Sequence, residues 1–443
     1  MTKNPLFQKS LMVLALFLLL TIPITMIQGK LSERVRTSEA AKAEIASRYA
    51  DRQVVSAPVV YISYREKRVV ETWNKETRKY ERSWKVIDHS KTYIPNQLNV
   101  ESRVETETRF LGIYSAPVFE SSNTIQGSFS LPDKFPSDNS EFEVLGAYLL
   151  MGVSDMRGIA DMPAVVIDGS NHLFTLDSDR HGRAGDEMAV DLGTLEDLRA
   201  KELPFHIQLD LRGSGRLGFV PAAVQSVVRV ESDWPHPGFT GLLSTDEHEI
   251  GPDGFSAVWK TNQLSAADAI ACAVDCAVCI DESLTVAVDF VQPVTGYLST
   301  ERAIKYSYLF VGLTFIAFLL FEVMKRLRIH AVQYSLVGLA LAMFYLLLLS
   351  LSEHLSFDVS YLVAGVACVS LITFYVRYVL RSVRGALGFG SCLAGVYGIL
   401  YVVLLSEDYA LLMGSLVLFL TLAIIMVATR RLDWHDFSVA KQE

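Results

Sequence analysis

The chain has 443 residues, of which 51% are hydrophobic, and its formal net charge at pH 7 is −9. It is too long for one ordinary domain and more apolar than a soluble protein needs. Its apolar residues are concentrated in Leu11–Ile27 and in about five blocks between Tyr306 and Ala428. This distribution excludes a purely soluble protein and predicts a chain that crosses a membrane several times.

Each apolar block is long enough to cross a hydrocarbon core of roughly 30 Å, which takes about 20 residues of helix. Helices of soluble proteins keep a polar face at a period of 3.6 residues, and these blocks do not. For the first block an uncleaved anchor is favoured over a signal peptide, because no Ala-x-Ala-like cleavage site follows it. The predicted spans are Leu11–Ile27, Tyr306–Val323, Val332–Leu351, Val359–Val376, Leu387–Leu405 and Ala410–Ala428.

Basic residues that flank the spans indicate their orientation, since such Lys and Arg residues are retained in the cytoplasm. They lie before the first span, between the second and third, after the fourth and after the sixth, whereas the intervening turns carry Asp and Glu without Lys or Arg. Both termini are therefore predicted to be cytoplasmic. The basic residues are Lys3, Lys9, Lys325, Arg326, Arg328, Arg377, Arg381, Arg384, Arg430 and Arg431, and the acidic ones are Glu353, Asp358, Glu407 and Asp408.

A long segment between the first two spans is predicted to form an exported, antiparallel β-rich domain, built as a sandwich or an elongated pair of sheets. Its β-branched and aromatic residues alternate in about ten segments that Pro and Gly separate. Leu31–Tyr49 is predicted to continue the first helix into the exported compartment. The predicted parts are a cytoplasmic stub with the first helix (1–27), the β-rich domain (28–305), a five-helix transmembrane bundle (306–429) and a cytoplasmic tail (430–443).

Charge and length limit the partners of these parts. The segment 28–305 holds 29 Lys and Arg against 41 Asp and Glu, a net charge of −12. A field of this sign disfavours nucleic acid, and also polyanionic lipid as a partner for the whole surface, while leaving a local basic site open. The cytoplasmic parts are too short for a kinase or nucleotide-binding domain. The lipid bilayer is thus an expected partner, and no nucleic acid, nucleotide or cofactor is expected.

Ionisable residues inside spans would indicate an ion or proton pathway, because charge in hydrocarbon is costly. Glu322, Glu353 and His354 lie at the span ends, and we interpret them as interfacial residues with their polar heads in water. Ser391 and Gly395 have the four-residue spacing of small residues that lets helices approach closely. The spans are therefore predicted to pack as a bundle without a polar pathway, which disfavours a transporter.

Cys272, Cys276 and Cys279 form a C-x3-C-x2-C pattern on a segment predicted to be a helix starting near Ser265, with the three thiols on one face. Small buried core residues are the favoured interpretation, and a disulfide within one pair is the alternative. An odd number of cysteines would leave one thiol outside such a pair. An iron–sulfur cluster or metal is disfavoured in an exported domain.

Two other sequence motifs lack features that the corresponding binding sites require. Gly213–Gly218 fits G-x-G-x-x-G, but Pro221 prevents the helix that a dinucleotide site needs, and a turn is predicted instead. Asp177, Asp179 and His181 imitate the start of a calcium loop, but Met188 stands where a bidentate Glu is required. No hydrolase or metalloprotease motif occurs in the sequence, so enzyme activity has no positive support.

Several stretches resemble the CreD family of bacterial inner-membrane proteins, and the resemblance runs nearly end to end. It implies an inner-membrane protein with a periplasmic domain, whose expression is tied to a two-component system and which is associated with envelope integrity and tolerance to colicins or β-lactams. The stretches that resemble the family are Asn4-Pro-Leu-Phe, Ser154-Asp-Met-Arg-Gly-Ile159, Ser214-Gly-Arg-Leu-Gly-Phe-Val-Pro221, Trp234-Pro-His-Pro237, Tyr345-Leu-Leu-Leu-Leu-Ser-Leu-Ser-Glu-His354 and Asp433-Trp-His-Asp-Phe437.

Three functional hypotheses follow. The leading one is a non-enzymatic envelope-maintenance protein whose periplasmic domain binds a periplasmic or inner-membrane protein, with Asp155, Arg157, Trp234 and His236 as contributors to the contact. A turn salt bridge and a Pro-fixed corner are the structural alternatives for these four residues. The second is a membrane-interface enzyme or lipid-handling protein that uses Glu353 and His354. The third is a sensor that modulates a separate histidine kinase.

Overall fold

The fold of the protein was analysed in a computed structural model, which describes residues 5–74, 79–132, 142–176, 187–193, 202–292, 296–325, 329–380, 382–405 and 410–430. Two compact units are distinguished. The helical unit comprises Met1–Glu39 and Val294–Glu443, and the β domain comprises Ala40–Pro293. These borders differ from the predicted ones at 27/28 and 305/306, because helical structure continues past the apolar segments at both places.

Six long helices correspond to the six predicted spans, so the predicted arrangement of one helix, a β-rich domain and five further helices is confirmed. The first continues to Tyr49 as predicted, with Pro23 inside it. Five of them are long and apolar enough to cross a membrane, and the last contains a shorter apolar stretch, Leu412–Ala423. The helices are α1 (Pro5–Tyr49), α2 (Ala267–Cys276, in the β domain), α3 (Gly296–Lys325), α4 (Ala331–Leu351), α5 (Phe357–Leu380), α6 (Val383–Leu405) and α7 (Ala410–Thr429).

Aromatic side chains form the centre of the helical unit. The ring of Phe344 on α4 lies 4.7 Å from that of Tyr397 on α6 and 5.4 Å from that of Tyr361 on α5, in edge-to-face arrangements. These rings tie α4, α5 and α6 together in one apolar core, which α1 and α3 also enter. The predicted close approach at Ser391 and Gly395 is wrong, because both residues are exposed and a Cβ at Gly395 would meet no atom within 4 Å.

The β domain contains three sheets among its described residues, most of whose strand pairs are antiparallel. Their strand orders are β1-β12-β17-β14, β3-β2-β6-β10-β9 and β15-β16-β13-β4-β5-β11-β7-β8. Two pairs, β1 with β12 and β4 with β13, are parallel. The strands are β1 (Gln53–Val55), β2 (Val59–Asn74), β3 (Lys79–Tyr93), β4 (Gln97–Leu111), β5 (Tyr114–Ser130), β6 (Phe142–Gly152), β7 (Ala164–Ile167), β8 (Ser170–Leu173), β9 (Thr175–Leu176), β10 (Glu187–Asp191), β11 (Glu202–Ser214), β12 (Arg216–Phe219), β13 (Gln225–Ser232), β14 (Pro237–Gly241), β15 (Glu247–Gly251), β16 (Gly254–Asn262) and β17 (Val286–Phe290).

One hydrophobic core joins the three sheets. Alternation places Leu203, Phe205, Ile207, Leu209 and Leu211 of β11 on the buried side, as the period of a strand requires. Phe205 packs on Phe129 of the neighbouring strand with ring centroids 5.0 Å apart. At Gly215, between β11 and β12, φ is +72°, which favours glycine and fits the predicted turn.

The cysteine prediction is partly wrong. Helix α2 ends at Cys276, and Ala277 follows with φ of +64°, so the three cysteines do not share one helix face. The chain turns back instead and brings the Cα atoms of Cys272 and Cys279 to 5.6 Å, where the two thiols form a disulfide. The disulfide that the sequence left as the alternative is therefore present. Cys276 is exposed and lies outside this pair.

We expect that replacing both Cys272 and Cys279 by Ser lowers the free energy of unfolding of the β domain by about 2 kcal/mol, since the disulfide closes only a short loop. Pulse proteolysis of the full chain in urea measures this. The single change Cys276→Ser is the control and should leave the urea midpoint unchanged. An equal loss in both variants would contradict a structural role for the disulfide.

Candidate functional site

Asp155 and Arg157, which the sequence singled out, form an ion pair at the start of the first sheet. The Arg157 guanidinium donates from Nε to Oδ1 at 2.9 Å and from Nη2 to Oδ2 at 2.6 Å of the Asp155 carboxylate. Asp155 also accepts from the backbone N–H of Asp51, and Arg157 donates to the carbonyl of Ser47. The pair thereby fastens the end of α1 and the start of β1 to the 3-10 turn Met156–Gly158.

These contacts lower the pKa of Asp155 to about 2, mainly because Arg157 donates to the carboxylate, with added bonds from the backbone N–H groups of Asp51 and Arg157. The Asp155 side chain is only 12% exposed. The geometry is that of a turn held by a salt bridge, which is the structural alternative considered for this motif. Of this pair, mainly the Arg157 side chain is accessible to a partner, since it is 62% exposed.

Because the pKa of Asp155 is lower in the folded chain than in the unfolded one, its contribution is complete above the unfolded value of 3.8 and is lost as pH falls to about 2. We expect Asp155→Asn to cost about 1 kcal/mol at pH 7, less than the shift alone implies because water screens the pair. Urea unfolding between pH 7 and pH 2 measures this, and the wild-type and variant curves should converge at the acid end. If the difference in the free energy of unfolding between wild type and variant were the same at pH 7 and pH 2, the lowered pKa would not belong to Asp155.

Trp234 and His236 form a fixed corner between β13 and β14. The indole Nε1 donates to the carbonyl of His236 at 3.1 Å and to that of Val291 at 3.0 Å. The half-buried ring of Trp234 packs against the domain core, while the His236 side chain is exposed. The indole N–H is thus satisfied within the domain, and the neighbours of this corner differ from those of Asp155 and Arg157.

Glu353 and His354 lie in the turn after α4, at the end of the predicted span. The carboxylate of Glu353 is paired with Arg34 of α1 at 3.1 Å from Nε and is 13% exposed, whereas His354 is exposed. Glu353 therefore serves as a counter-ion between α1 and the α4–α5 turn. An acid–base pair acting on one substrate is not supported by this arrangement.

The interpretation of Glu322 as an interfacial residue with its head in water is wrong. Its carboxylate is buried, pairs with Lys9 of α1, and accepts from Tyr334 Oη at 2.8 Å and from the backbone N–H of Ile329 at 2.9 Å. Burial of a charge is tolerated only where it is paired and hydrogen-bonded, and all three donors are provided here. The cluster joins α1, α3 and α4 at one end of the helical unit.

We expect Glu322→Ala to lower the stability of the helical unit by about 3–5 kcal/mol, since it removes the partner of a part-buried Lys9 and of a fully buried hydroxyl. Thermal unfolding in detergent measures the change. Glu33→Ala, which removes the partner of exposed Lys30, is the control and should leave the midpoint unchanged. An effect of Glu322→Ala no larger than that of the control would contradict a structural role for the cluster.

One exposed apolar surface of the β domain, on strands β2 and β3, was not predicted from the sequence. Strands β2 and β3 pair from Val60–Tyr93 to Asn74–Lys79, whereas β6 pairs with β2 only from Val59 to Glu66. We call the part of this hairpin in residues 67–74 and 79–86 the hairpin arm. Beyond Glu66, the described ladder of the arm joins β2 and β3 alone.

One side of the hairpin arm carries an aromatic face, which we define as Val69, Trp73, Tyr80, Trp84 and Val86. The ladder pairs Val69 with Trp84 and Trp73 with Tyr80, so alternation places all five on the same side. Trp84 is 71% and Tyr80 68% exposed. Tryptophans are seldom left so exposed without a partner, and the alternation of aromatic and charged residues in β2 and β3 is the signal that could have found this face.

Besides the aromatic face, the structure contains a cavity of about 570 Å³ between α5 and α6 in the helical unit. Its wall is apolar apart from a few hydroxyls and Asp358, whose carboxylate accepts from Tyr401 Oη at 3.0 Å. Glu353 and His354 do not line it. Among the described residues, no group of three or more His, Cys, Asp and Glu side chains is placed to hold a metal ion. The predicted calcium-like start at Asp177, Asp179 and His181 lies outside the described residues.

Comparison with known proteins gives one consistent family. The family described as "Inner membrane protein CreD" matches residues 5–435 of the chain. The chain is 32% identical to the inner membrane protein CreD of Escherichia coli (strain K12), an alignment that covers 100% of this chain and 97% of the relative. Among solved structures, an M1 zinc metallopeptidase mutant of Deinococcus radiodurans aligns at a TM-score of 0.21 with 9% identity over 38% of each chain, which supports no conclusion.

Proposed function

Because the chain belongs to the CreD family of inner membrane proteins, we propose that it is a non-enzymatic protein of envelope maintenance that binds an envelope protein through its hairpin arm. The helical unit holds the chain in the bilayer. The β domain is the part that meets the partner. The observation that carries this proposal is the aromatic face, an exposed apolar surface on a two-stranded arm.

The placement of the β domain on the periplasmic side is part of this proposal. The disulfide between Cys272 and Cys279 supports it, since structural disulfides persist in the periplasm and are rare in the cytosol. The Lys and Arg residues that flank the spans support the same orientation through their retention in the cytoplasm. Both termini would then be cytoplasmic.

The composition of the hairpin arm indicates a protein partner. Trp, Tyr and Arg dominate the binding energy of protein interfaces, and Trp73, Tyr80, Arg82 and Trp84 lie on one side of the arm. The rings of Trp73 and Tyr80 already touch, with centroids 5.0 Å apart, so part of the surface is fixed before a partner binds.

Charge indicates what the partner surface looks like. From residue 67 to residue 86 the sequence has seven Lys and Arg against three Glu, although the segment 28–305 as a whole is acidic. A basic arm on an acidic domain favours encounter with an acidic surface and repels a second basic one. We therefore propose an envelope protein with an apolar groove bordered by carboxylates.

The test uses a photo-crosslinking amino acid in living cells at position 84, on the aromatic face, and at position 83, on the opposite side of the same strand. An envelope protein should be captured from position 84 and not from position 83. Trp73→Ala with Trp84→Ala should reduce capture from position 80 by at least about thirtyfold, the loss expected from a single hot-spot residue that contributes about 2 kcal/mol. Arg82→Glu should also weaken capture. The loss should be larger at low salt than at high salt, because salt screens the attraction between the arm and an acidic partner.

Three outcomes would contradict the proposal. Equal capture from positions 83 and 84 would indicate nonspecific contact. Capture of lipid alone would assign the arm to the membrane surface, and capture of a cytoplasmic protein would reverse the proposed orientation. Capture of a histidine kinase sensor domain would retain the protein–protein role and assign it to signalling.

A further inference from the structure

We propose that the cavity between α5 and α6 is a binding slot for one phospholipid with an ammonium headgroup, of the phosphatidylethanolamine class. We call the cavity the lipid slot. Its α5 wall includes Asp358, Leu362, Gly365 and Ser370, and its α6 wall includes Tyr397, Gly398 and Tyr401. The site is separate from the hairpin arm and does not depend on the function proposed for it.

The shape of the lipid slot fits one of the two acyl chains of a phospholipid. On α5 it runs from Asp358 to Ser370, thirteen residues whose Cα atoms span about 18 Å along the helix axis. One leaflet takes up about half of a hydrocarbon core of roughly 30 Å, so the slot is about as long as a leaflet is deep. Its volume of about 570 Å³ is in the range of sites that bind small molecules.

Glycines open the floor of the lipid slot. A Cβ at Gly398 would meet no atom within 4 Å, and one at Gly365 would meet only the Tyr397 ring at 3.8 Å. The lining residues on α6 recur at positions 394, 397, 398 and 401, which lie on one helix face. Leu362 and Val366 on the α5 side are 65% and 57% exposed and border the opening. A chain can therefore lie against the helix backbones.

The mouth of the lipid slot selects the headgroup. Asp358 lies in the first turn of α5, directly after the α4–α5 turn, where a span meets the membrane surface. Tyr401 donates to Oδ1 of its carboxylate and fixes its position. Among the residues that the structure describes, those that line the slot include this carboxylate and no Lys or Arg. An ammonium group with three N–H donors complements it, whereas an anionic headgroup would be repelled.

The test is native mass spectrometry of the full chain in detergent, titrated with dioleoyl phosphatidylethanolamine or dioleoyl phosphatidylglycerol, which share the same acyl chains. The wild-type protein should bind the ethanolamine lipid about fivefold more tightly, the scale of one exposed ion pair. Gly398→Leu should weaken binding of both lipids about tenfold, the loss expected when the leucine side chain displaces about ten close packing contacts of the acyl chain, each about 0.1–0.2 kcal/mol.

Two further variants separate the contribution of the slot's shape from that of the charge at its mouth. Gly395→Leu adds the same side chain one turn away, at an exposed glycine that does not line the slot, and should bind both lipids as the wild type does. Asp358→Asn keeps an acceptor for Tyr401 and removes the charge, so it should abolish the preference for the ethanolamine lipid. Thermal unfolding of each variant shows whether the helical unit is intact.

Other results would overturn either the slot, the headgroup assignment or the lipid proposal as a whole. Unchanged binding in Gly398→Leu, with both proteins folded, would overturn the slot. A wild-type preference for phosphatidylglycerol, or a preference for phosphatidylethanolamine that survives Asp358→Asn, would overturn the headgroup assignment. A wild-type protein that is a dimer without lipid, and whose dimer Gly398→Leu disrupts, would assign this face to a second copy and overturn the lipid proposal.

Discussion

The constraint from which the rest of the structure follows is that hydrocarbon cannot satisfy a backbone hydrogen bond or an unpaired charge. Inside the bilayer the chain must therefore be helical, since open sheet edges do not occur there. The same constraint explains the cluster around Glu322. A carboxylate that is buried against α1, α3 and α4 is stable there because Lys9, Tyr334 and the backbone of Ile329 all donate to it.

Outside the helical unit the same chain uses sheets, and there the problem is which polar contacts hold the fold and which remain for a partner. Asp155 and Arg157 are bonded to each other and to the backbone of neighbouring elements. The indole of Trp234 is likewise satisfied by two carbonyls. These residues fix turns. The aromatic face of the hairpin arm has large exposed rings instead, and so it is the surface with free energy left to gain on binding.

The two proposed sites use different chemistry in their two units. The hairpin arm exposes aromatic rings and basic side chains to water, and burial of this apolar area would drive association with a partner. The lipid slot is an apolar groove in a membrane-spanning helix pair, where apolar contact alone discriminates little because lipid tails are as apolar as leucine. Selectivity in the slot therefore depends on Asp358 and Tyr401 at its mouth, and on a shape that glycines open.

The sequence by itself determined the helical spans and the β-rich insertion, because uninterrupted apolar runs and strict alternation are local patterns. It also indicated the family. It did not determine which cysteines pair, since the helix end at Ala277 decides whether Cys279 turns back toward Cys272. Nor did it determine that Glu322 is buried or that the aromatic face is exposed. Burial depends on neighbours that are distant in the chain, such as Lys9, which is 313 residues from Glu322, and only the tertiary structure brings them together.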